Sequence, residues 1–420
     1  MKKFYSIKQT LILGGFLASG LVSAQIQLNQ LTEFATSIYD INDEGKGVLG
    51  NGYYDFGTNA LSPTEEGVVQ TVSITNSGMI LGQIIDDSGE NFLPAIKNGD
   101  TWTVLENMDE NFTYTLYDIS DNGIYVVGQT DWTEENGAWG FIYNTETETF
   151  KLLSSPLYEY GSAYSVSNAG IAVGWVDDLE SGTVRMPAYF DEEGNITLIS
   201  ELYGEASNIN ENNEIVGVLE SAPFIYNMTT NTLTTFETPE TYYTSAFADI
   251  SDNGIAVGYA DTYIEGQGDL RNPIIYHASL GEQPRFLAEV LTEKGVDAST
   301  LDGTAYKISS NGKYVSGWIS GPAFMAMGWA IFFDDALLKI SDLNNSELIA
   351  YPNPVKDVLN FNSDKNIQNI SVYNLAGQQI ISNTKLTNKQ LNLASLPSGT
   401  YVLRVTLEGG KTETLKVIKK

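Results

Sequence analysis

A phrase of nine or ten residues recurs seven times between 41 and 317, and it constrains the fold more than any other feature of the sequence. The start-to-start spacings are 33, 45, 47, 43, 41 and 58 residues. A period near 45 is too long for a leucine-rich repeat and is typical of a propeller blade of four short strands. In chain order the copies read INDEGKGVLG, ITNSGMILG, ISDNGIYVVG, VSNAGIAVG, INENNEIVG, ISDNGIAVG and ISSNGKYVSG.

Each phrase has the pattern of a hairpin. A β-branched residue ends one strand, a polar pair leads into a turn glycine, and a second apolar strand closes on glycine. Glycine and asparagine tolerate the positive φ that a tight turn needs, and Asn213 replaces the turn glycine in the fifth copy. A second pair of strand-like runs follows each later hairpin, as in GFIYNTETETFKLL at 140–153.

We therefore predict an all-β chain whose main domain is a seven-bladed β-propeller. The first repeat is short and its outer pair is weak, so six or eight blades also fit the spacing. The segment 26–34, IQLNQLTEF, is expected to pair with the last blade and close the ring, which removes a sheet edge.

The N-terminus has the parts of a secretory signal peptide. Three lysines precede an apolar run from 11 to 22, and small residues lead to a predicted cleavage between Ala24 and Gln25. The apolar run is too short for a membrane span. The chain contains no cysteine, which excludes disulfides, thiolate metal sites and cysteine nucleophiles. We expect residues 1–24 to be a signal peptide and the protein to be exported.

Charge divides the remainder into two domains. The segment 25–345 holds ten of the 22 basic residues and 48 of the 53 acidic residues, whereas 346–420 holds nine basic and five acidic residues. The strong acidity argues against nucleic acid as a partner, because phosphates are repelled. We predict a propeller domain over 25–345 and a C-terminal domain over 346–420.

Short alternating strands separated by Gly, Pro and Asn turns indicate that the C-terminal domain is a small Ig-like β-sandwich. The residues that mark this domain are Tyr351, Pro352, Asn353, Pro354, Gly377, Gly399 and Tyr401. With them the domain resembles the type A C-terminal sorting domain of the type IX secretion system of Bacteroidota. That resemblance implies recognition by an outer-membrane translocon, removal by a sortase and attachment to a surface lipopolysaccharide, and it leaves open whether the product is anchored or released.

The repeated phrase itself resembles the HAF family of extracellular repeats, whose consensus runs roughly D-I-N-x-x-G-x-V-V-G. The His-Ala-Phe tripeptide that names this family does not occur in the sequence. The resemblance implies an extracellular β-propeller and brings no defined activity with it.

Positions just beyond the closing glycine of each phrase are the candidate binding site. Acids recur three residues after this glycine, aromatic residues recur directly after it, and long loops follow. Variable loops on a common face are where repeat proteins usually bind. Aromatic rings beside carboxylates suit sugars or a cationic partner, although the acids could equally solvate loops while the aromatics pack between blades. The candidate residues are Asp131, Trp132, Trp175, Asp177, Asp178, Glu220, Tyr259, Asp261 and Trp318.

Little else in the sequence points to chemistry. The single histidine, His277, has no G-x-S-x-G serine to form a triad with, and zinc sites that need several histidines or cysteines are excluded. The pattern at 118–123 and 249–254 suits turns better than calcium, because EF-hand spacing does not follow it. We expect no cofactor and a secreted or surface binding protein for a glycan or protein partner. The alternative is a carboxylate-based carbohydrate-active enzyme.

Overall fold

The computed structural model describes residues 26–31, 37–109, 111–132, 137–178, 185–265, 268–320, 326–333, 348–351, 354–363, 366–374, 379–384, 389–408 and 412–420. The predicted signal peptide, with Ala24 and Gln25, lies outside them. The chain divides into two compact units, Met1–Leu338 and Lys339–Lys420. The sequence predicts the boundary between residues 345 and 346, a few residues after the one observed.

The described part of the first unit contains seven four-stranded antiparallel sheets, numbered here in chain order. Sheets 1 and 2 are β2 (Ile38–Ile41), β3 (Lys46–Leu49), β4 (Gly52–Asp55), β5 (Ala60–Pro63), and β6 (Val68–Ile74), β7 (Ile80–Ile85), β8 (Phe92–Asn98), β9 (Thr101–Val104). Sheets 3 and 4 are β10 (Tyr114–Ile119), β11 (Tyr125–Thr130), β12 (Gly140–Asn144), β13 (Thr149–Leu152), and β14 (Tyr158–Val166), β15 (Ala172–Asp178), β16 (Arg185–Phe190), β17 (Ile196–Leu198). Sheets 5 and 6 are β18 (Gly204–Ile209), β19 (Glu214–Leu219), β20 (Ala222–Asn227), β21 (Thr232–Thr235), and β22 (Thr244–Ile250), β23 (Ala256–Ile264), β24 (Gly268–Tyr276), β25 (Arg285–Phe286). Sheet 7 is β26 (Thr304–Ile308), β27 (Tyr314–Ser320), β28 (Ala326–Phe332) and the N-terminal β1 (Gln27–Gln30).

The sheets form a closed, propeller-like ring. The first strand of each sheet contacts the first strand of the next, and β26 contacts β2. Strand β1 pairs antiparallel with β28 from Gln27↔Phe332 to Gln30↔Trp329. The prediction that the N-terminal segment completes the last sheet is therefore confirmed.

The repeated phrase forms the hairpin between the first and second strands of every sheet, as predicted. Asn213 adopts φ +60° at the place where the sixth copy has Gly254 at φ +80°. Its short polar side chain makes it the residue other than glycine that best tolerates this conformation, so the one exception in the seven turns keeps the same backbone.

The first strand of every sheet carries a β-bulge two residues before the first residue of the phrase. In sheets 4 and 6 the closing glycine of the phrase lies opposite the residue just before the bulge. A Cβ added at Gly258 would overlap the carbonyl oxygen of Ala246, and one added at Gly174 would overlap that of Ser162. In sheets 2 to 7 the closing glycine therefore leaves room for a carbonyl of the bulged strand, whereas sheet 1 has Leu49 at the equivalent place.

The hairpin turns are joined by hydrogen bonds from each sheet to the next, and we call this set the turn belt. In each link, a backbone N–H of one turn donates to an oxygen of the following turn, over 2.6 to 3.0 Å. The link from Asn311 N to Asp43 Oδ1, 2.7 Å, joins sheet 7 to sheet 1 and completes the circle. The accepting residues are Asn76, Asp121, Asn168, Glu211, Asp252, Ser310 and Asp43.

The hydrophobic core lies between neighbouring sheets. One cluster joins Val257 of sheet 6 to Trp329 of sheet 7 through Leu287 and Leu291 of helix α1 (Leu287–Glu293). This helix is inserted between sheets 6 and 7, and it accounts for the 58-residue final spacing of the repeat.

In its described ranges, the second unit contains a three-stranded and a four-stranded antiparallel sheet that share one hydrophobic core. Leu359 and Phe361 come from the first sheet, and Val372, Leu403 and Val417 from the second. The strand order is β29 (Leu348–Tyr351), β30 (Val358–Ser363), β33 (Gln390–Asn392) in one sheet, and β32 (Gln379–Thr384), β31 (Ile367–Asn374), β34 (Gly399–Leu407), β35 (Thr412–Lys419) in the other.

Across the described ranges, no helix has the length and hydropathy needed to cross a membrane.

Candidate functional site

The bulges determine which side chains line the central channel of the ring. Two consecutive residues stand in front of each phrase, and the bulge directs both toward the channel instead of to opposite faces of the sheet. The bulged residues are Tyr39, Val72, Tyr117, Tyr164, Ser207, Ala248 and Tyr306. The residues that follow them are Asp40, Ser73, Asp118, Ser165, Asn208, Asp249 and Lys307.

All seven bulged residues line a wide cavity of about 460 Å³. A volume of this size falls in the range of small-ligand sites, roughly 300 to 1,000 Å³. The lining combines aromatic rings with a few polar groups, which is the usual composition of such sites. Its aromatic residues are Tyr39, Tyr117, Tyr164, Phe247, Tyr259, Tyr306 and Trp318, and its charged residues are Glu205, Arg271 and Lys307.

A narrow cavity of about 80 Å³ lies between the seven-residue polar ring that follows the bulges and the turn belt. Side chains meet across the channel here, because Ser310 Oγ donates to Asp121 Oδ2 over 3.2 Å. The ring carboxylates are bound to neighbouring strands: Asp249 Oδ2 accepts from Ile308 N over 2.8 Å, and Asp40 Oδ2 accepts from Ser73 Oγ over 2.6 Å. These aspartates therefore join adjacent sheets.

Burial changes the protonation of two ring aspartates. Desolvation raises the pKa of Asp118 to about 6 and the pKa of Asp249 to about 7, and the nearby charge of Lys307 partly offsets it. The Lys307 ammonium responds in the opposite sense: burial disfavours its charge, but Asp249, Asp40 and Asp118 more than compensate and raise its pKa. Lys307 is thus a cation at the junction of the two cavities.

Arg271 is held rigidly at the wall of the wide cavity. Its Nε and one terminal nitrogen donate to the two carboxylate oxygens of Asp261 over 2.6 and 2.7 Å. The guanidinium lies 3.7 Å from the ring centroid of Tyr259 and donates to Thr304 Oγ1 over 3.3 Å. Burial opposes the charge, yet the bond to Asp261 raises the pKa of Arg271. A bidentate and stacked arginine of this kind is pre-organised for binding.

The opposite wall is built from aromatic contacts. Tyr117 and Tyr164 pack edge to face with ring centroids 5.2 Å apart. Trp175 Nε1 donates to the Tyr164 hydroxyl over 2.8 Å, and the guanidinium of Arg185 covers the Trp175 ring at 4.2 Å. Burial raises the pKa of both tyrosines, so their hydroxyls stay neutral and can both donate and accept hydrogen bonds.

Some of the candidate residues predicted from the sequence meet at the wide cavity. Tyr259 and Trp318 line it, Asp261 holds Arg271, and Trp175 supports Tyr164. Asp177 is buried in β15, where its backbone lies opposite that of Arg185 in β16.

The other candidates lie elsewhere. Asp131, Trp132 and Glu220 are exposed and are not among the described residues that line the cavity. Thr113 donates a hydrogen bond to Asp131. The side chain of Asp178 lies outside the described residues.

Sequence reasoning missed the pair in front of each phrase, which includes Tyr117, Tyr306 and Lys307. The signal was present: the residue pairs read YD, VS, YD, YS, SN, AD and YK in register with the repeat. The sequence analysis considered only the repeated phrase, so it did not include the more variable pair of residues directly before it.

Carboxylates are scarce in the wide cavity. Glu205 is the one acid among the described residues that line it, and Asp261 is occupied by Arg271. A glycosidase needs two carboxyl groups, about 5 to 10 Å apart, on either side of the bond it breaks. In the described part of the chain, no group of three or more acids or histidines is arranged to hold a metal ion.

Residues 349–420 match the family model of the secretion system C-terminal sorting domain. This part of the chain is a sorting domain. It indicates export by the type IX secretion system, a secreted or cell-surface destination, and interaction with the type IX machinery. The HAF resemblance of the repeats stays a prediction, and no curated protein matches the chain.

Several solved structures are similar to the chain. An oligogalacturonate lyase in complex with manganese is 11% identical, with a TM-score of 0.49 over 76% of this chain and 96% of that one. Dipeptidyl peptidase 4 of Porphyromonas gingivalis is 12% identical, with a TM-score of 0.40 over 90% and 56%. TolB of Acinetobacter baumannii is 10% identical, with a TM-score of 0.36 over 59% and 60%. Scores below 0.5 at such identities do not support assigning the lyase or peptidase activity to this chain.

The residues predicted to carry the sorting signature have different environments. Tyr351 and Pro354 are exposed, and Gly399 begins β34. Tyr401 is buried, and its hydroxyl donates to the Pro397 carbonyl over 2.9 Å. Pro352, Asn353 and Gly377 lie outside the described residues.

Proposed function

We propose that this chain is a secreted or cell-surface binding protein, in which a seven-bladed β-propeller binds a glycan in its wide cavity. Its Ig-like sorting domain is recognised by the outer-membrane translocon and removed by a sortase, as in attachment to a surface lipopolysaccharide. The main support for the binding role is the wide cavity of about 460 Å³, whose lining combines aromatic rings with a few hydrogen-bonding groups.

A glycan suits this lining better than a cationic partner does. Tyr117, Tyr306 and Trp318 offer ring faces for the apolar C–H faces of a sugar, and tyrosine hydroxyls offer donors and acceptors for its hydroxyls. Lys307 offers hydrogen-bond donors to the same cavity, and a sugar hydroxyl can accept from them whereas a cationic group cannot. The sequence left both ligands open, and this donor favours the glycan.

The competing hypothesis was a carboxylate-based carbohydrate-active enzyme. Its chemistry needs a second carboxyl group opposite Glu205 with access to the ligand. The three aspartates of the polar ring lie beyond Lys307, toward the narrow cavity, where their oxygens bind backbone N–H groups of the neighbouring sheets. Binding without bond cleavage therefore has the stronger support.

The binding role is tested with a glycan array that is probed with the full-length chain and with two aromatic variants. Tyr117→Ala removes a ring from the wide cavity, whereas Trp132→Ala removes an exposed ring outside the cavity lining. We expect Tyr117→Ala to lose at least tenfold in apparent affinity for the bound glycan and Trp132→Ala to bind like the wild type. Loss only in Trp132→Ala would move the site to the loops, and binding of no glycan by the wild type would overturn the proposal.

A further inference from the structure

Lys307 breaks the pattern of the polar ring. The six equivalent positions hold aspartate, serine or asparagine, and only the seventh holds a cation. Within the described residues, its Nζ has no hydrogen-bond acceptor and no carboxylate oxygen within 4.0 Å. The nearest ring centroid recorded is that of Tyr306, at 6.0 Å. An ammonium has three donors, so three hydrogen bonds must come from what enters the cavities.

The aspartates keep this ammonium charged without bonding to it. Asp249, Asp40 and Asp118 all act on Lys307 through space. Their own oxygens are occupied by backbone N–H groups and serine hydroxyls, as in the bond from Val166 N to Asp118 Oδ2 over 3.1 Å. The floor of the wide cavity is consequently a free donor set surrounded by negative charge.

We propose that Lys307 is the residue that selects the end of the bound saccharide: its ammonium donates to hydroxyl oxygens of a neutral terminal sugar, and the aspartates around it exclude a sugar that carries a carboxylate. This inference rests on the proposed glycan-binding function and adds the ligand class and the residue that determines it.

Charge decides between the two kinds of sugar. A hydroxyl that accepts from Lys307 gains a charge-assisted hydrogen bond and brings no net charge with it. A carboxylate at the same place gains more from Lys307 but is repelled by Asp40, Asp118 and Asp249. Glu205 at the wall contributes less to this repulsion, because Arg185 lies 3.5 Å from its carboxylate. Arg271 cannot balance this repulsion, because Asp261 already neutralises it.

The wild-type chain provides the first test. Isothermal titration of the full-length protein at pH 8 compares methyl glucoside with methyl glucuronide, and methyl galactoside with methyl galacturonide. The members of each pair differ only at C6. In the pair that binds, we expect the acidic sugar to bind at least tenfold more weakly. Equal or tighter binding of the acidic sugar would overturn the inference and leave the glycan-binding function standing.

Variants provide the second test. Lys307→Gln should weaken binding of the preferred neutral sugar at least fivefold, while Lys151→Gln, on an outer strand away from the channel, should leave it unchanged. Because Lys307→Gln leaves three aspartates without their cation, Lys307→Gln/Asp249→Asn serves as a charge-matched second variant, with folding checked by circular dichroism. Unchanged affinity in a folded Lys307 variant would contradict the inference. Binding of none of the four sugars by the wild type would also contradict it, and the glycan array would then decide separately whether the glycan-binding function stands.

Discussion

The two ends of the central channel are built from the same seven hairpins but differ in almost every physical property. The narrow end is a polar space of about 80 Å³ bordered by the turn belt, and the wide end is an aromatic space of about 460 Å³. The narrow end comes from the repeated phrase. The wide end takes its character from the residues just in front of it, which change from copy to copy.

This contrast distinguishes the turn residues that hold the ring together from the channel residues that form the candidate ligand site. Ring closure needs the same turn seven times, because each turn must present an oxygen to the turn before it. The channel positions have no such requirement, so one sheet can hold Tyr117 and Asp118 while another holds Tyr306 and Lys307. In a repeat protein of this kind, the deviations from the repeat are where a ligand site is to be sought.

The largest expected effect is on the scaffold. Gly258→Ala should reduce the free energy of unfolding by about 3 kcal/mol, because its Cβ would overlap the Ala246 carbonyl oxygen of the bulged strand. Urea denaturation measures it. Gly57→Ala, whose Cβ would meet only the side-chain oxygen of Asp55, is the control. Equal effects of the two substitutions would show that the bulge does not require the glycine.

The turn belt should contribute less per link. Asp43→Ala removes the acceptor of Asn311 N and should reduce the free energy of unfolding by about 1 to 2 kcal/mol through an unsatisfied N–H. Ligand affinity should not change, because Asp43 does not line the wide cavity within the described residues. The exposed Asp87→Ala is the matched control, and thermal unfolding with parallel titration tests both statements. A change in affinity as large as the change in stability would contradict the assignment of the narrow end to ring stability and of the wide end to ligand binding.

At the wide end we expect a substitution to reduce ligand affinity more than it reduces stability. Arg271→Lys should weaken glycan binding about fivefold, or about 1 kcal/mol, with a smaller loss of stability. Lysine keeps the charge but cannot bind Asp261 through two parallel bonds while stacking on Tyr259. Titration and urea denaturation of the same sample give the comparison. A loss of stability with unchanged affinity would assign Arg271 to the scaffold.

The smallest effect concerns pH. Asp249 and Asp118, whose pKa values burial raises to about 7 and about 6, take up protons as the pH falls from 8 to 5.5, while Asp40, Tyr306 and Lys307 also face this space. Fewer negative charges then surround Lys307, and repulsion of an acidic sugar weakens. The preference for a neutral sugar over its C6 acid should therefore shrink about threefold. In Asp249→Asn this pH dependence should be smaller, and a preference that grows at low pH would contradict the electrostatic explanation.

The sequence predicted much of the scaffold because local rules determine it. Asn213 could be assigned to a left-handed turn since few residues tolerate that conformation, and the N-terminal strand could be paired with the last sheet since a ring leaves no edge. Helix α1 was not predicted, because the sequence showed only that the final spacing of the repeat is long.

The site was harder to predict because a bulge breaks the alternation of side chains along a strand. Without the bulge, Tyr306 and Lys307 would be assigned to opposite faces, and nothing local indicates that both line the channel. Trp318 and Tyr259 were found because the closing glycine marks their position. Asp131 and Trp132 were selected by their place after the same glycine, but they lie beyond the end of β11 and are not among the described residues that line the wide cavity.

A crystal structure of the full-length chain, soaked with the neutral glycoside that binds best, tests the central claim most directly. The account predicts sugar density in the wide cavity, with a ring against Tyr117 or Trp318 and a hydroxyl oxygen about 3 Å from Lys307 Nζ. Sugar bound at the loops around Trp132, or a wide cavity without sugar at saturating concentration, would contradict it.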